Sequence, residues 1–486
     1  MPLVLNIMKR SSILSLSALL LIGLSAAAIV QQKNKQKESA IPVMETGGQE
    51  MPDEWVDRDT GHRVIKLTRR KGANRSFYFH NNPFISQDEM LFVGSEEQQL
   101  SSDMYYASTA GTIKQMYAVN LSDLSIRQIT DEPQGVSSEI CCLHTRMLYF
   151  QRADSVFCTY ISRPGETDTL GTRFIARMPE GRTGHIVCVN CDGTRLAGTF
   201  DNPEEGRILR EHPKKSDFFN RIFEARLEKT IFTIDTQTGQ FSDVWTDHAW
   251  LNHLQFSPTD PNRLLFCHEG HWHKVDRIWN IDIRSAQELA AAGLSDRPVR
   301  QPVLMHKRTT PGEYVDSLGN LQKGEIAGHE WFGADGKHVY FDLQRPRSVN
   351  FYVGKVNVET LEEEDYAITC HEWAVHFTTS WDEKWLAGDG GSPTSVAHSD
   401  QDQWIYRYFY QPHREGIQDS LRTERLVNMQ HHNYSLEPNV HVSPDQKWII
   451  FRANFEGYDN IYAVEVEPYD KTPQAAHEGT TTYPSL

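Results

Sequence analysis

Apolar residues in this chain fall in short, strand-length runs, and helical spacing is scarce. One unit recurs: a polar turn built on Asp, with Ser, Asn, Pro or Gly, followed by an apolar run. Copies are Ser86-Gln-Asp-Glu-Met-Leu-Phe-Val, Asn190-Cys-Asp-Gly-Thr-Arg-Leu-Ala, Ser257-Pro-Thr-Asp-Pro-Asn-Arg-Leu-Leu-Phe, Gly333-Ala-Asp-Gly-Lys-His-Val-Tyr-Phe, Ser380-Trp-Asp-Glu-Lys-Trp-Leu-Ala and Ser443-Pro-Asp-Gln-Lys-Trp-Ile-Ile-Phe. Leu143-His-Thr-Arg-Met-Leu-Tyr-Phe is a degraded seventh copy. Asp, Asn and Gly suit tight hairpin turns, and the runs after them are apolar enough to be buried. A strand–turn–strand element follows most copies, as in Ile231-Phe-Thr-Ile-Asp-Thr-Gln-Thr-Gly and Val353-Gly-Lys-Val-Asn-Val-Glu-Thr-Leu.

Seven such cycles of four strands, roughly 45 to 75 residues apart, predict an all-β fold, a seven-bladed β-propeller with minor helical insertions. A small twisted sheet cannot cover both its faces alone, and stacking in a ring covers them. A propeller usually closes with a strand from one terminus in the other terminus's blade. Gly61–Thr68 is the expected closing strand, beside Tyr462–Val466. The clearest helices are expected at about Ser216–Arg226 and Ser285–Ala292.

Lys9-Arg10, an apolar run from Ile13 to Val30 and small residues at Ser25–Ala28 have the layout of a secretory signal. Residues 1–30 are therefore expected to be a signal peptide, or an uncleaved anchor as the alternative. Residues 31–55 read as a flexible lead-in, 56–470 as the propeller and 471–486 as a C-terminal tail. The expected location is periplasmic or secreted, with membrane attachment only through an N-terminal anchor.

Composition narrows the partners. The net charge of −16 over 486 residues, with no basic stripe, argues against nucleic acid. An acidic body can still hold a locally basic pocket. The seven cysteines are scattered. Cys188-Val-Asn-Cys191 has no matching second pair, so the cysteines read as small buried hydrophobes, and an exported chain has room for one disulfide. There is no nucleophile elbow, phosphate-binding loop or dinucleotide fingerprint.

What remains is histidine, arginine and carboxylate chemistry. Cys267-His-Glu-Gly-His-Trp-His-Lys-Val-Asp-Arg-Ile-Trp279 packs adjustable bases beside fixed cations, which proton transfer needs. Arg277, at a strand mouth, suits bidentate capture of a carboxylate, the alternative being an ion pair with Asp276. His329, in Gly328-His-Glu-Trp-Phe, reads as a general base or a core histidine. His376 is favoured over His371 because it holds the corresponding place one blade on. Glu437, Asn439 and His441 alternate with Pro438, Val440 and Val442. On a strand this puts three donors on one face, suited to manganese or calcium, or forms a polar outer face.

These motifs together resemble the oligogalacturonate lyase family. The resemblance rests on Trp55-Val-Asp-Arg-Asp-Thr-Gly-His-Arg-Val, Arg75-Ser-Phe-Tyr-Phe-His, Cys267-His-Glu-Gly, Val275-Asp-Arg, His329-Glu-Trp-Phe, Gly388-Asp-Gly-Gly and Glu437-Pro-Asn-Val. It implies a manganese-binding seven-bladed propeller that cleaves short galacturonides by β-elimination. It places the base on His329, the substrate-carboxylate arginine on Arg277 and one metal ligand on His376. The family's His-x-His ligand pair falls on Glu437 and Asn439, a departure, and His432 is the substitute for a family glutamine near Tyr434. Arg75, Tyr78, His80 and His268 are expected substrate contacts. The expected partner is a short uronic-acid oligosaccharide, with manganese as cofactor and calcium as the alternative. Two other readings stay open: a non-catalytic periplasmic propeller binding a sugar or protein, and a lyase for another acidic glycan.

Overall fold

The computed structural model describes residues 41–96, 113–163, 165–166 and 171–469. The expected leader (1–30) and tail (471–486) lie outside the described residues. The chain divides into two units, Met1–Val43 and Met44–Leu486. Of the first, only residues 41–43 are described, and Val43 is extended.

The second unit is a ring of seven antiparallel sheets. Their innermost strands are Asn74–Arg75, Ser137–Cys142, Gly184–Val189, Trp250–Phe256, Ile326–Phe332, Phe377–Thr379 and His441–Val442, which open blades 1 to 7. The turn-plus-run copies form the turn into each second strand and that strand. Side chains on these strands alternate between two interfaces. In Glu89–Gly94, Leu91 and Val93 pack with Leu148 and Phe150 of blade 2. Met90 and Phe92 pack the other way, with Ile450 and Ile461 of blade 7. One apolar cluster fills each junction around the ring, from blade 1 on 2 to blade 7 on 1. This double burial explains why the second strands are continuous apolar runs.

Closure follows the expected route. Arg63–Lys66 completes blade 7 with Val64 opposite Val464, Ile65 opposite Ala463 and Lys66 opposite Tyr462. Glu54–Asp57 then pairs outside it. The lead-in expected through residue 55 is therefore too long. Met51 and Trp55 lie buried in the apolar cluster between blades 6 and 7, and the Trp55 indole N–H donates to Thr46 Oγ1 at 2.8 Å.

Among the described residues, three α-helices interrupt the blades. Helices α1 (Pro203–Glu211) and α2 (Lys215–Ala225) separate two strands of blade 3, and α3 (Ala286–Ala291) lies in blade 4. α2 and α3 match the expected segments. Ser285 and Glu288 form a capping box on α3. α1 was not foreseen, although Asn202 caps it and Pro203 opens it. Ile208, Phe218 and Ile222 pack these helices onto Trp250 of blade 4. A hairpin, Glu313–Val315 with Leu321–Lys323, projects between blades 4 and 5. No helix among the described residues is long and apolar enough to cross a membrane.

Candidate active site

Four innermost strands carry bulges, and two of these bear on the site. Pairing shifts between Asn252 and Gln255 in blade 4, and between Gly328 and Trp331 in blade 5. Within the bulges His253 and His329 have φ of 50° and 47°. That left-handed conformation costs a residue with a Cβ about 1 kcal/mol or more. Bulges re-aim side chains, and these two aim corresponding histidines of adjacent blades at one cluster.

The cluster is tight. The His329 ring lies 4.9 Å from the His376 ring and 4.7 Å from Trp272, centroid to centroid. Phe79 stacks beneath His376 at 4.6 Å. Tyr78 lies 5.2 Å from His376 and 5.7 Å from His253, and His80 is 5.9 Å from His253. His376 and Phe79 are fully or almost fully buried, whereas Tyr78, His80, His253, Trp272 and His329 are half-buried.

Hydrogen bonds define the imidazoles. His376 Nδ1 donates to Asp389 Oδ2 at 2.8 Å, and its backbone N–H donates to Oδ1 at 2.8 Å. Asp389 Oδ2 also accepts the Asn439 N–H at 2.9 Å. His376 Nε2 is then buried without a hydrogen-bond partner, 3.8 Å from Glu437 Oε2. His329 Nδ1 is likewise buried and unpartnered. Burial, followed by His376, Arg277 and His253, holds the His329 pKa well below the ordinary imidazole value. Burial also opposes a charge on His376, but Asp389 and Glu437 outweigh it and raise its pKa. The centre thus sets a neutral imidazole against a carboxylate-backed one.

Arg277 joins this group in a different state from the one expected. Its Nη1 donates to Glu269 at 2.7 Å, its Nε donates to Glu330 at 3.1 Å, and its guanidinium lies 4.7 Å from the Trp272 ring centre. Two carboxylates compensate its charge, while Asp276 pairs with Arg308 instead. Glu269 also holds His253 Nε2 at 3.2 Å. Burial would raise Glu269, but Arg277 and His253 bring its pKa well below the carboxylate range.

Several expected contacts are committed elsewhere. His432 Nε2 donates to Leu436 O at 2.7 Å and its Nδ1 accepts the Asn454 N–H at 3.3 Å, so neither nitrogen is left for a metal. Asn439 is not on a strand. Its φ of 51° breaks the alternation; its Oδ1 accepts the Phe79 N–H at 2.8 Å and its Nδ2 donates to Glu437 O at 3.1 Å. His441 donates to Phe77 O at 3.1 Å. Arg75 is buried in a two-pronged pair with Asp459, at 2.8 and 2.6 Å. His268 stacks on Trp279 at 5.0 Å beside a separate cavity of about 210 Å³ lined with Trp245 and Asp247. All seven cysteines are free, and five are buried. Of the expected set, His329, His376, Tyr78, His80 and Arg277 come together, with Glu437 at the edge. His253, Glu269, Trp272, Glu330 and Asp389 were missed as site residues. Glu269, Glu330 and Asp389 had a signal, their place in Cys267-His-Glu-Gly, His329-Glu-Trp-Phe and Gly388-Asp-Gly-Gly, and Trp272 lies in the Cys267–Trp279 stretch; His253 had none.

The donors fit a divalent metal at His376 and Glu437, and His253, Cys267 and Glu269 form a further group of close donors. A histidine whose far nitrogen is fixed by a buried carboxylate, with its near nitrogen bare, is the common arrangement around metal-bound imidazole. Glu437 supplies an oxygen donor beside it. Nitrogen plus carboxylate suits manganese better than calcium, which prefers oxygen alone.

No protein-family profile matches the chain. An oligogalacturonide lyase of Pectobacterium atrosepticum is 24% identical over 428 residues, covering 85% of this chain and 95% of that protein. An oligogalacturonate lyase of Dickeya dadantii is 23% identical over 435 residues, with the same coverage. Among solved structures, an oligogalacturonate lyase in complex with manganese superposes with a TM-score of 0.64 at 18% identity, covering 87% of this chain and 99% of that one. An oligogalacturonate lyase from Vibrio parahaemolyticus gives 0.63 at 20%, covering 85% and 96%. The ring of blades is the fold of these proteins, and across most of its length this chain is a divergent relative of the oligogalacturonate lyases.

Proposed function

We propose that the protein is a lyase that cleaves short oligogalacturonides by metal-assisted β-elimination, leaving a 4,5-unsaturated uronate. The relatives' names support the class of reaction. One observation in this chain carries the reading: a neutral histidine with a bare nitrogen, His329, held against the Asp389-backed His376.

A ring nitrogen of His329, bare in the neutral imidazole, takes the proton from C5 of the sugar. The C5–H electron pair becomes the C4=C5 double bond, and the C4–O bond breaks. The departing oxygen takes a proton from water. Low solvation keeps the base unprotonated near neutral pH, where a base of lowered pKa is ready to act. His376 Nε2 and Glu437 would hold the metal, which when bound stabilises negative charge on the sugar carboxylate. Arg277 adds positive potential but is compensated by Glu269 and Glu330, so its role here is to orient His253 through Glu269 and to clamp Trp272.

The test is ultraviolet absorbance of the conjugated unsaturated product when trigalacturonate meets the manganese-loaded protein. His329→Ala is expected to lower kcat at least about 100-fold with an unchanged unfolding midpoint. Absence of product with any uronide would remove the assignment. A collapsed fold in His329→Ala would mark the histidine as structural.

A further inference from the structure

Trp272 forms a wall of the reaction centre. It lies so close to Gly328 that an added Cβ would approach its ring to 2.5 Å, and its edge meets His329. Its neighbours in sequence, His271, His273 and Lys274, therefore stand next to that centre.

Three backbone hydrogen bonds bring two more segments to this loop. Gly312 N–H donates to His273 O at 2.6 Å, Gly324 N–H to Gly312 O at 2.7 Å, and Arg347 N–H to Gly324 O at 3.2 Å. The row sets Lys323 and Arg347 beside His273. Among the described residues their side chains and that of Lys274 form no close hydrogen bond or ion pair, and Arg347 feels only the buried Asp342. His273 is buried, at 3% exposure, and neither of its ring nitrogens has a hydrogen-bond partner. The nearest carboxylate, Glu313, is 3.6 Å away. Burial, then Lys323, Arg347 and Lys274, lower its pKa to about 4, so the ring is neutral and keeps one N–H to donate.

The His-x-His spacing invites a metal, but the surroundings oppose one. Lys274, Lys323 and Arg347 outnumber the exposed acids that act on His273 and His271, Glu313 and Glu224, and the one acid that acts on Arg347, Asp342, is a buried carboxyl whose pKa burial raises to about 7. Like charges at such range repel a cation and attract an anion. The reaction centre lacks what this cluster has, because Arg277 is neutralised by its two glutamates.

We propose that His273, Lys274, Lys323 and Arg347 form a carboxylate subsite, which binds a second uronate of the same acidic chain whose reacting unit lies against His329. The subsite depends on the lyase reading only for what occupies the neighbouring position. It makes this protein selective for oligomers with at least two free carboxylates.

The probes are trigalacturonate, its methyl ester and inorganic phosphate, titrated calorimetrically into the full chain. Lys323→Gln and Arg347→Gln are each expected to weaken trigalacturonate about 3- to 10-fold and to leave the methyl ester unchanged. Added salt should weaken wild-type binding more than that of the double variant. Lys323 is exposed on a hairpin, so its substitution tests the site without risk to folding. Wild-type affinity in both variants would overturn the subsite, as would phosphate saturating the cluster in preference to trigalacturonate. If trigalacturonate binds through Lys323 and Arg347 but no unsaturated product ever forms, the subsite stands and the lyase assignment falls. If product forms with an unchanged KM in the double variant, the lyase stands and the subsite falls.

Discussion

Replacing Asp389 by Asn probes the metal and the fold together, because this one carboxylate accepts three hydrogen bonds. Its Oδ1 takes the His376 N–H, and its Oδ2 takes both the His376 ring N–H and the Asn439 N–H, all between 2.8 and 2.9 Å. An asparagine amide has one acceptor end and one donor end. If its oxygen sits at the Oδ2 place, its NH2 faces the His376 N–H and that buried donor is orphaned. If its oxygen sits at the Oδ1 place, its NH2 faces the Asn439 N–H and the His376 ring. The ring can answer only by accepting at Nδ1, which moves its hydrogen to Nε2 and blocks the metal nitrogen. Either way one buried N–H loses its partner, about 1–3 kcal/mol, and a charge-assisted bond becomes neutral. The expected outcome is a loss of about 2–4 kcal/mol in chemical denaturation and a manganese affinity lower by about 10- to 100-fold in calorimetry. Glu437→Gln, at a half-exposed side chain, should weaken manganese without that loss of stability. A manganese affinity in Asp389→Asn within about twofold of wild type would refute the assignment of His376 Nε2 as a ligand.

A second expectation concerns pH. Burial disfavours a charge on His306, but Glu325 at 2.7 Å and Glu363 at 2.8 Å outweigh it and raise its pKa from 6.5 to about 9. A pKa raised by folding stabilises the protein fully below pH 6.5 and loses that contribution as pH rises through about 9. The loss is about 3 kcal/mol, and it should vanish from the pH profile of His306→Gln; identical wild-type and variant slopes would refute it. A third expectation, from the signal-like layout, is that the protein is exported and that its mature chain starts after the small residues at Ser25–Ala28. N-terminal sequencing of the mature chain checks this, and an intact Met1 on a membrane-bound protein would mean an anchor instead.

How far the chain could be read without coordinates depends on the range of the interactions involved. Strand runs, Asp-containing turns and the helix near Ser285–Ala292 are local, and they appeared where expected. The closing strand was legible because Val64, Ile65 and their partners are apolar on both faces. His329 and His376 were found because each sits at a blade position that recurs. By contrast, Glu437, Asn439 and His441 alternate in the sequence as a strand would, yet Asn439 turns left-handed and the alternation has no geometric meaning.

The amino-acid sequence by itself determined the ring: double-sided apolar strands can be buried only by stacking, and the repeat count sets the number of blades. It also pointed to imidazoles and carboxylates in the Cys267, His329, His376 and Glu437 segments as the candidate chemistry. Tertiary structure alone decided which of them stay available. Arg75 is taken by Asp459, 384 residues away, Arg277 by Glu330, 53 residues away, and His432 by its own loop's backbone, while His253 is delivered by a bulge. A side chain's charge is written in its residue type, but the partner that cancels or frees that charge is chosen by the fold, from another blade for Arg75 and from the same loop for His432.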